Sequence, residues 1–167
     1  MIINYLLPHA RYERIVDIEP ETLQFNNIKA LILDIDNTMA LHDMPEPLSG
    51  VKEWVERIKA AGIDCIVISN NCEQRVAPFA KKFDVPYISK SKKPLPKVFV
   101  KAAKILDTKP SNAAVIGDQI FTDILGGRLA GMFCIYVDPI GLERGGFFAF
   151  KRFLEKVVFK LYNRKRG

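Results

Sequence analysis

The sequence predicts one α/β domain built in three layers, α/β/α, around a parallel sheet. Two observations lead to this fold class. Short apolar runs of strand length alternate along the chain with segments that have the apolar spacing of amphipathic helices. The runs are apolar at every position, which is typical of parallel strands buried on both faces. At 167 residues, of which 49% are hydrophobic, the chain is long enough for one domain with a substantial core.

Strands and helices are predicted to alternate between residues 30 and 137. The strands are 30–35, 65–68, 85–88, 113–116 and 133–137. The first helix runs from 49 to about 61, and the second follows residues 69–71 and runs towards 83. The third runs from 96 to 106 and the fourth from about 122 to 130. Ser49 is predicted to cap the first helix and Gly62 to end it, since these residue types favour those positions. Pro78 is predicted to begin or kink the second helix because proline has no amide hydrogen.

The chain divides into three predicted parts. Residues 1–29 show a helical hint at Pro20-Glu21-Thr22-Leu23, and we predict that they wrap on the core. Residues 30–141 form the core domain without a large insertion, and residues 142–167 form a basic amphipathic helix. The net charge is +6, and residues 143–167 hold eight basic against two acidic residues. Residues 1–142 hold 17 of each, so the predicted tail accounts for the whole excess.

Cysteine usage and hydropathy predict a cytoplasmic protein. Cys65, Cys72 and Cys134 form no Cys-x-x-Cys pair, and two of them fall in predicted core strands, which favours reduced packing residues. Residues 1–8 lack a charged leader, and no stretch approaches the roughly 18 apolar residues that a membrane-spanning helix requires. We therefore expect neither a secreted nor a membrane-spanning protein.

Polar side chains follow four of the predicted strands, at the point where each strand ends. They are Asp34 and Asp36, Ser69 and Asn70, Lys93, and Asp118 with Asp123. The carboxyl ends of parallel strands meet at one edge of a sheet, where ligands bind. Four carboxylates at one edge repel each other unless a cation lies among them, and hard oxygen ligands favour Mg²⁺. Taken alone, the first strand could simply end in a solvated, Asp-rich turn. The whole set, however, predicts a site for metal-assisted phosphoryl transfer.

These residues carry a family resemblance. Four motifs, in this order, resemble those of the haloacid dehalogenase (HAD) superfamily of phosphatases: Asp34-Ile35-Asp36-Asn37-Thr38, Ser69-Asn70, Lys93-Pro94 and Gly117-Asp118-x-x-x-x-Asp123. More narrowly, the chain resembles the capless YqeG-type phosphatases, relatives of the phosphatidylglycerophosphate phosphatases. The cues are Leu6-Leu7-Pro8, the Asn of Asp36-Asn37-Thr38, and Gly126-Gly127 after the fourth motif. The resemblance implies a Rossmann-like, HAD-type sheet and a phosphoric monoester hydrolase.

The resemblance also implies a role for each acidic residue. Asp34 would be the nucleophile that forms an aspartyl-phosphate, and Asp36 would protonate the leaving oxygen and later take a proton from water. The carboxylates of Asp34 and Asp118 would hold Mg²⁺ together with the backbone carbonyl of Asp36. Asp123 would be an outer metal ligand or would orient Lys93. The family thus supplies a cofactor, Mg²⁺, and four candidate metal residues.

The remaining motif residues would bind the phosphoryl group. Ser69 and the amide of Asn70 would donate hydrogen bonds to the phosphoryl oxygens, and Lys93 would offset their charge. Thr38 would contact the substrate or cap its own turn. Lys92 or Lys97 could take the place of Lys93, although Lys-Pro is the family's pairing.

No cap domain is predicted. Thr38 to Ser69 has room for little beyond one helix, and Ser69 to Lys93 for little beyond a helix and a short strand. An open site suits a phosphomonoester that brings its own bulk, such as a lipid headgroup at a membrane or a macromolecule. A homo-oligomer whose neighbouring subunit acts as the cap is the alternative.

The tail bears on that choice. Residues 147–166 place an apolar stripe at helical spacing, namely Phe150, Phe153, Leu154, Val157, Val158 and Leu161. Lys151, Arg152, Lys156 and Lys160 lie off the stripe. Such a helix either packs on the core or lies peripherally in an anionic membrane surface.

Three functional hypotheses follow. The first is a Mg²⁺-dependent lipid-phosphate phosphatase such as one for phosphatidylglycerophosphate, and the second is a phosphatase for soluble sugar phosphates or nucleotides. The third is a non-catalytic RNA- or ribosome-binding protein that keeps the fold. We expect no nucleic-acid partner, because the aromatic-stacking signature of the known RNA-binding modules is absent from the sequence.

Overall fold

A six-stranded, fully parallel sheet forms the centre of the protein. The structure is a computed structural model that describes residues 2–141 and 153–160. The strands are β1 (Ala10–Tyr12), β2 (Ala30–Leu33), β3 (Asp64–Ile68), β4 (Tyr87–Ile88), β5 (Ala113–Gly117) and β6 (Phe133–Val137). Their spatial order is β1-β6-β5-β2-β3-β4, which places β2 in the interior of the sheet. The predicted α/β fold class is confirmed.

Helices cover both faces of this sheet. They are α1 (Pro20–Phe25), α2 (Val51–Ala60), α3 (Glu73–Lys81), α4 (Pro96–Ile105), α5 (Leu125–Leu129) and α6 (153–160). A π-helical turn, Ile120–Ile124, precedes α5. No helix in the described ranges combines the length and the apolarity that crossing a bilayer requires.

The first strand was not predicted from the sequence. Residues 1–29 were expected only to wrap on the core, yet β1 adds an edge to the sheet by pairing with β6, with Ala10 beside Ile135. A three-residue strand is too short for an apolar period to reveal it, and its conformation depends on the partner strand. The helical hint at Pro20 is confirmed by α1.

Two helix ends differ from the prediction. Gly50, not Ser49, is the N-cap of α2, and its φ of +83° is a left-handed conformation that glycine adopts at low cost. Of the two alternatives for Pro78, the first is wrong, because Pro78 lies inside α3 and does not begin it; a kink at this position stays a prediction. Because Pro78 is exposed, the carbonyl left without a helical donor is close to water. Gly62 follows the end of α2, with a φ of +79°, as predicted.

The sheet separates two apolar cores. On one face Leu31 and Leu33 pack with Trp54 of α2 and Phe79 of α3. On the other face Ile32 packs with a second group that includes Phe99 of α4. The alternation explains why every residue of β2 is apolar, since both faces of this strand are fully buried.

The α6 helix packs on the second core by one side only. Val158 is buried there, and the ring of Phe159 lies edge-on to Tyr136 with centroids 4.6 Å apart. Phe153 and Val157 remain 61% and 46% exposed. The packing alternative therefore holds for 153–160, although the predicted stripe is split between core and surface. Its members Phe150 and Leu161, and the flanking tail residues, lie outside the described residues.

Candidate active site

The strand register brings the predicted motifs to one place. Leu33 pairs with Val67 on β3 and with Ile116 on β5. Residues 34, 69 and 118 therefore leave the sheet within two positions of one another, at its carboxyl edge. From β2 the chain continues to β3 and β4 on one side of that strand and then crosses to β5 and β6 on its other side. The carboxyl edge between β2 and β5 is therefore a topological switch point, the usual ligand site of such sheets.

Asp34 lies at the centre of the site. Its amide continues the sheet by donating to the carbonyl of Ile116 at 3.0 Å, which fixes the backbone just past β2. One carboxylate oxygen, Oδ1, accepts a hydrogen bond from Lys93 Nζ at 2.5 Å. The other, Oδ2, accepts from the Thr38 hydroxyl at 3.4 Å. Thr38 is itself buried, so it supports Asp34 from within the protein.

Lys93, not Lys92, is the lysine that reaches the site. Its ammonium group lies 2.5 Å from Asp34 and 2.6 Å from Asp123, and the side chain is buried. Lys92 is exposed on the preceding turn, and Lys97 is exposed on α4. The structure thus distinguishes three lysines that the sequence left as alternatives.

Burial and neighbouring charges together set the pKa values of Asp34 and Lys93. Burial and then the nearby Asp123 raise the pKa of Asp34 to about 7, although Lys93 opposes the shift. Burial alone would lower the pKa of Lys93, but the carboxylates of Asp123 and Asp34 outweigh it and raise that pKa well above its usual value. Lys93 is therefore held as a permanent cation at the site.

Three buried carboxyl groups could hold a metal ion. Asp34, Asp118 and Asp123 each offer a carboxylate oxygen, and these oxygens lie within 4.8 Å of one another. A Cβ atom on Gly117 would lie 2.4 Å from the Asp123 carboxyl carbon, so only glycine allows this close approach. Hard oxygen donors in this number suit Mg²⁺, and Lys93 contacts two of the three acidic groups, Asp34 and Asp123. The residues present therefore fit the predicted cofactor.

The Asn70 side chain fixes the loop that carries Lys93. Its Oδ1 accepts hydrogen bonds from the Lys93 amide at 2.8 Å and from the Ser91 hydroxyl at 2.9 Å. Its Nδ2 donates to the Lys93 carbonyl at 3.2 Å. Ser69 is buried beside it, and its hydroxyl oxygen accepts from the Asn71 amide at 3.1 Å. The side chain of Asn70 is thus occupied with the lysine loop, whereas the sequence suggested a role only for its amide.

Asp36 has a partner that sequence reasoning missed. Its Oδ1 accepts a hydrogen bond from Arg75 Nη2 at 3.0 Å and another from the Asp43 amide at 3.2 Å. The Arg75 and Asp36 side chains are 12% and 13% exposed. The available signal was the position of Arg75 in the first turns of the helix that follows the Ser69-Asn70 motif.

The motifs open onto a single cleft of about 420 Å³. Five predicted residues line it, namely Asp34, Asp36, Ser69, Asn70 and Lys93. His42, Asn71, Gln119 and Thr122 also line it and were not predicted. Asp118 and Asp123 are buried rather than cleft-lining, and so is Thr38.

The last helix also contacts the site. Glu155 of α6 is buried, and its carboxylate accepts the Ile120 amide hydrogen at 3.1 Å. Ile120 begins the turn that holds Asp123, whose own carboxylate accepts the Gln119 amide at 3.3 Å. The loop between Asp118 and Asp123 is thus held from both sides.

Comparison with known proteins agrees with this geometry. The family model for haloacid dehalogenase-like hydrolases matches residues 10–131. The chain is also 36% identical over 165 residues to the Bacillus subtilis protein named "Probable phosphatase YqeG", covering 99% of this chain and 96% of that protein. The chain belongs to the haloacid dehalogenase-like hydrolases. It is therefore an enzyme, a HAD-type phosphatase, and not a non-catalytic scaffold.

Two further matches are more distant. Over 41 residues the chain is 46% identical to a Pyrococcus furiosus glyceraldehyde 3-phosphate phosphatase. This match covers 25% of this chain and 17% of that protein. The fold resembles the solved structure of the cobalt-bound form of the deoxy-D-mannose-octulosonate 8-phosphate phosphatase from Haemophilus influenzae. The TM-score is 0.55 at 12% identity, over 84% of this chain and 92% of that one. This HAD phosphatase thus shares its fold with an enzyme of very different sequence.

Proposed function

We propose that this HAD phosphatase hydrolyses phosphomonoesters with Mg²⁺ through a phosphorylated Asp34, and that its substrate is a lipid phosphate. The observation that supports the chemistry is the meeting of Asp34 with the Lys93 ammonium group and with two further buried carboxylates, beside an open cleft. A nucleophile, a fixed cation and a set of metal ligands at one point are what phosphoryl transfer by a carboxylate requires.

In the first half of the reaction, an oxygen of Asp34 bonds to phosphorus while the bond from phosphorus to the leaving oxygen breaks. Asp36 gives its proton to that oxygen. Ser69 and the Asn70 amide donate hydrogen bonds to the phosphoryl oxygens, and Lys93 offsets their charge. In the second half, Asp36 takes a proton from water, which attacks phosphorus and releases phosphate and free Asp34. A Mg²⁺ ion held by Asp34, Asp118, Asp123 and the Asp36 carbonyl would neutralise charge on the phosphoryl group.

The open cleft supports a substrate that brings its own bulk. Between β2 and β3 the described chain holds α2, and between β3 and Lys93 it holds α3 and β4, with no domain that could close over a small ester. A lipid headgroup at a membrane satisfies this condition. Soluble sugar phosphates or nucleotides are the alternative, and a neighbouring subunit would then have to cover the cleft.

We expect turnover to require Mg²⁺ and to be highest on a lipid phosphate. Metal-free protein would be assayed with and without Mg²⁺ on phosphatidylglycerophosphate in mixed micelles, sugar phosphates, nucleotides and p-nitrophenyl phosphate. We expect kcat/KM on the lipid to exceed that on soluble esters by at least about tenfold. Full activity without a divalent ion would contradict the cofactor, and a preferred sugar phosphate or nucleotide would contradict the lipid.

The outward side of α6 supports a position at the membrane surface. Phe153 and Val157 are exposed together with Lys156 and Lys160, at positions i, i+4, i+3 and i+7 of one helix. An apolar pair beside two cations fits the boundary between headgroups and acyl chains of an anionic bilayer. The Glu155 contact places this helix next to the catalytic loop.

We expect the Phe153→Ser/Val157→Ser protein to lose binding to anionic vesicles by at least about tenfold, since buried apolar area and basic residues supply the affinity. Flotation with phosphatidylglycerol vesicles measures it. The matched control is Phe25→Ser/Val100→Ser, because Phe25 and Val100 are 88% and 45% exposed on other helices. Equal binding by the two double variants would contradict the membrane surface. Charge reversal at Lys156 and Lys160, against Lys97 and Lys101 as control, provides the second comparison.

A further inference from the structure

Arg75 lies between the ring of Phe79 and the carboxylate of Asp36, the proposed proton donor. Its side chain leaves α3 and packs over the ring of Phe79, with the guanidinium carbon 5.2 Å from the ring centroid. Phe79 is itself buried in the core, so the guanidinium group of Arg75 lies over a fixed surface. From there Nη2 reaches Asp36 Oδ1 at 3.0 Å.

Arg75 is connected to the cleft through Asp36. The residues that line the cleft include Asp36 and His42 but not Arg75. Arg75 bonds the carboxylate of Asp36, which does line the cleft, so we expect Arg75 to act on the reaction through Asp36.

The two oxygens of Asp36 are in different environments. Oδ1 accepts both the Arg75 bond and the bond from the Asp43 amide at 3.2 Å. The other carboxylate oxygen, Oδ2, takes part in neither of these two bonds. With Oδ1 held from two directions, the carboxyl group cannot rotate freely, and Oδ2 is the oxygen that remains for a leaving group or a water molecule in the cleft.

Fold stability does not explain this arrangement well. The Arg75 side chain is 12% exposed, and its Nε atom is buried without a hydrogen-bond acceptor in the described part of the protein. Burying a guanidinium group that is incompletely paired costs free energy, and an apolar side chain of similar length would pack on Phe79 without that cost. A functional reason for the charge is therefore needed.

We propose that Arg75 is a positioning residue that orients Asp36 for proton transfer. This inference rests on the proposed function. The proton on Asp36 Oδ2 passes to the leaving oxygen as the bond from that oxygen to phosphorus breaks. The resulting carboxylate then takes one proton from the attacking water, so the proton balance closes over one turnover. Arg75 stays protonated throughout and keeps Oδ2 directed into the cleft.

The test uses leaving groups that differ in their need for a proton. An alkyl phosphate needs protonation as its bond breaks, whereas p-nitrophenol leaves readily as an anion. For Arg75→Met we expect kcat/KM on an alkyl phosphate to fall at least about thirtyfold, which is part of the roughly 10²–10⁴-fold that a positioned general acid contributes, because Asp36 itself is kept. On p-nitrophenyl phosphate we expect a change within about threefold. The Arg75→Lys protein, which keeps the charge, should recover part of the loss on the alkyl ester.

Lys81→Met is the matched control, because Lys81 is an exposed cation on the same helix. It should leave both substrates unchanged. In an Asp36→Asn background, Arg75→Met should add no further loss on the alkyl ester, since the group it orients is already gone. Equal losses on both esters, additive losses with Asp36→Asn, or a rise in KM alone would each overturn the positioning role. Unchanged turnover in Asp34→Asn would instead overturn the proposed function, so the two failures are distinguishable.

Discussion

We expect the Asp34→Asn protein to fold normally and to lose turnover by about 10⁴-fold or more on every phosphomonoester. The amide has nearly the shape of the carboxyl group, but its oxygen is a far weaker nucleophile, and it cannot form the aspartyl-phosphate. Initial rates on p-nitrophenyl phosphate and on a lipid phosphate, with Mg²⁺ present, measure the loss. Mass spectrometry must show that the amide has not reverted to the acid.

Asp64→Asn is the control for this prediction, because Asp64 is exposed at the opposite end of the sheet, at the start of β3. It should keep wild-type activity. Substantial magnesium-dependent turnover by Asp34→Asn would rule out the phosphorylated aspartate.

The pH dependence of the free energy of unfolding adds an independent comparison between wild type and Asp34→Asn. The pKa of Asp34 is raised to about 7, mainly by burial, so its contribution to stability is present at low pH and is lost as pH rises towards 7. In metal-free protein, the Asn variant should lack that part of the pH dependence.

The second large effect is expected from Lys93→Met. This change removes the ammonium group that contacts both Asp34 and Asp123 and leaves two buried carboxyl groups without their cation. We expect the free energy of unfolding to fall by about 3 kcal/mol in metal-free protein. Activity should fall by about 10²-fold or more, because the charge on the phosphoryl oxygens is no longer offset. Urea unfolding and initial rates measure the two effects.

Lys92→Met provides a matched control one residue away. Lys92 is exposed, so the same substitution there should change stability by less than about 0.5 kcal/mol and leave activity intact. Similar losses at positions 92 and 93 would contradict the assignment of Lys93. If the three buried carboxyl groups hold Mg²⁺, the stability loss in Lys93→Met should also shrink when the ion is added.

The central strand and the candidate site at its carboxyl end could be predicted because their signals are local. β2 is apolar at every position and ends directly in Asp34, so both the strand and its polar end can be recognised in a few residues. The ordered motifs then added residues from other strands, and the parallel sheet placed all of them at one edge.

The residues that were missed act across long sequence separations. Arg75 meets Asp36 from 39 positions away, and Glu155 meets Ile120 from 35. Their chemical types are common on helix surfaces, so no local pattern distinguishes them from solvated charges. β1 depends in the same way on a partner strand more than a hundred residues away. Such partners are recognisable only after the fold is known.

The Glu155 contact changes how shortened forms of this enzyme must be interpreted. A protein ending after residue 141 would lose the acceptor for a buried backbone donor in the loop that carries Asp123, one of the proposed metal ligands, an effect of about 1–3 kcal/mol on that loop. Such a deletion would therefore impair catalysis in solution, with no lipid present. Lower activity of a truncated protein is thus no measure of bilayer binding, and only surface substitutions on the intact chain can separate the two contributions.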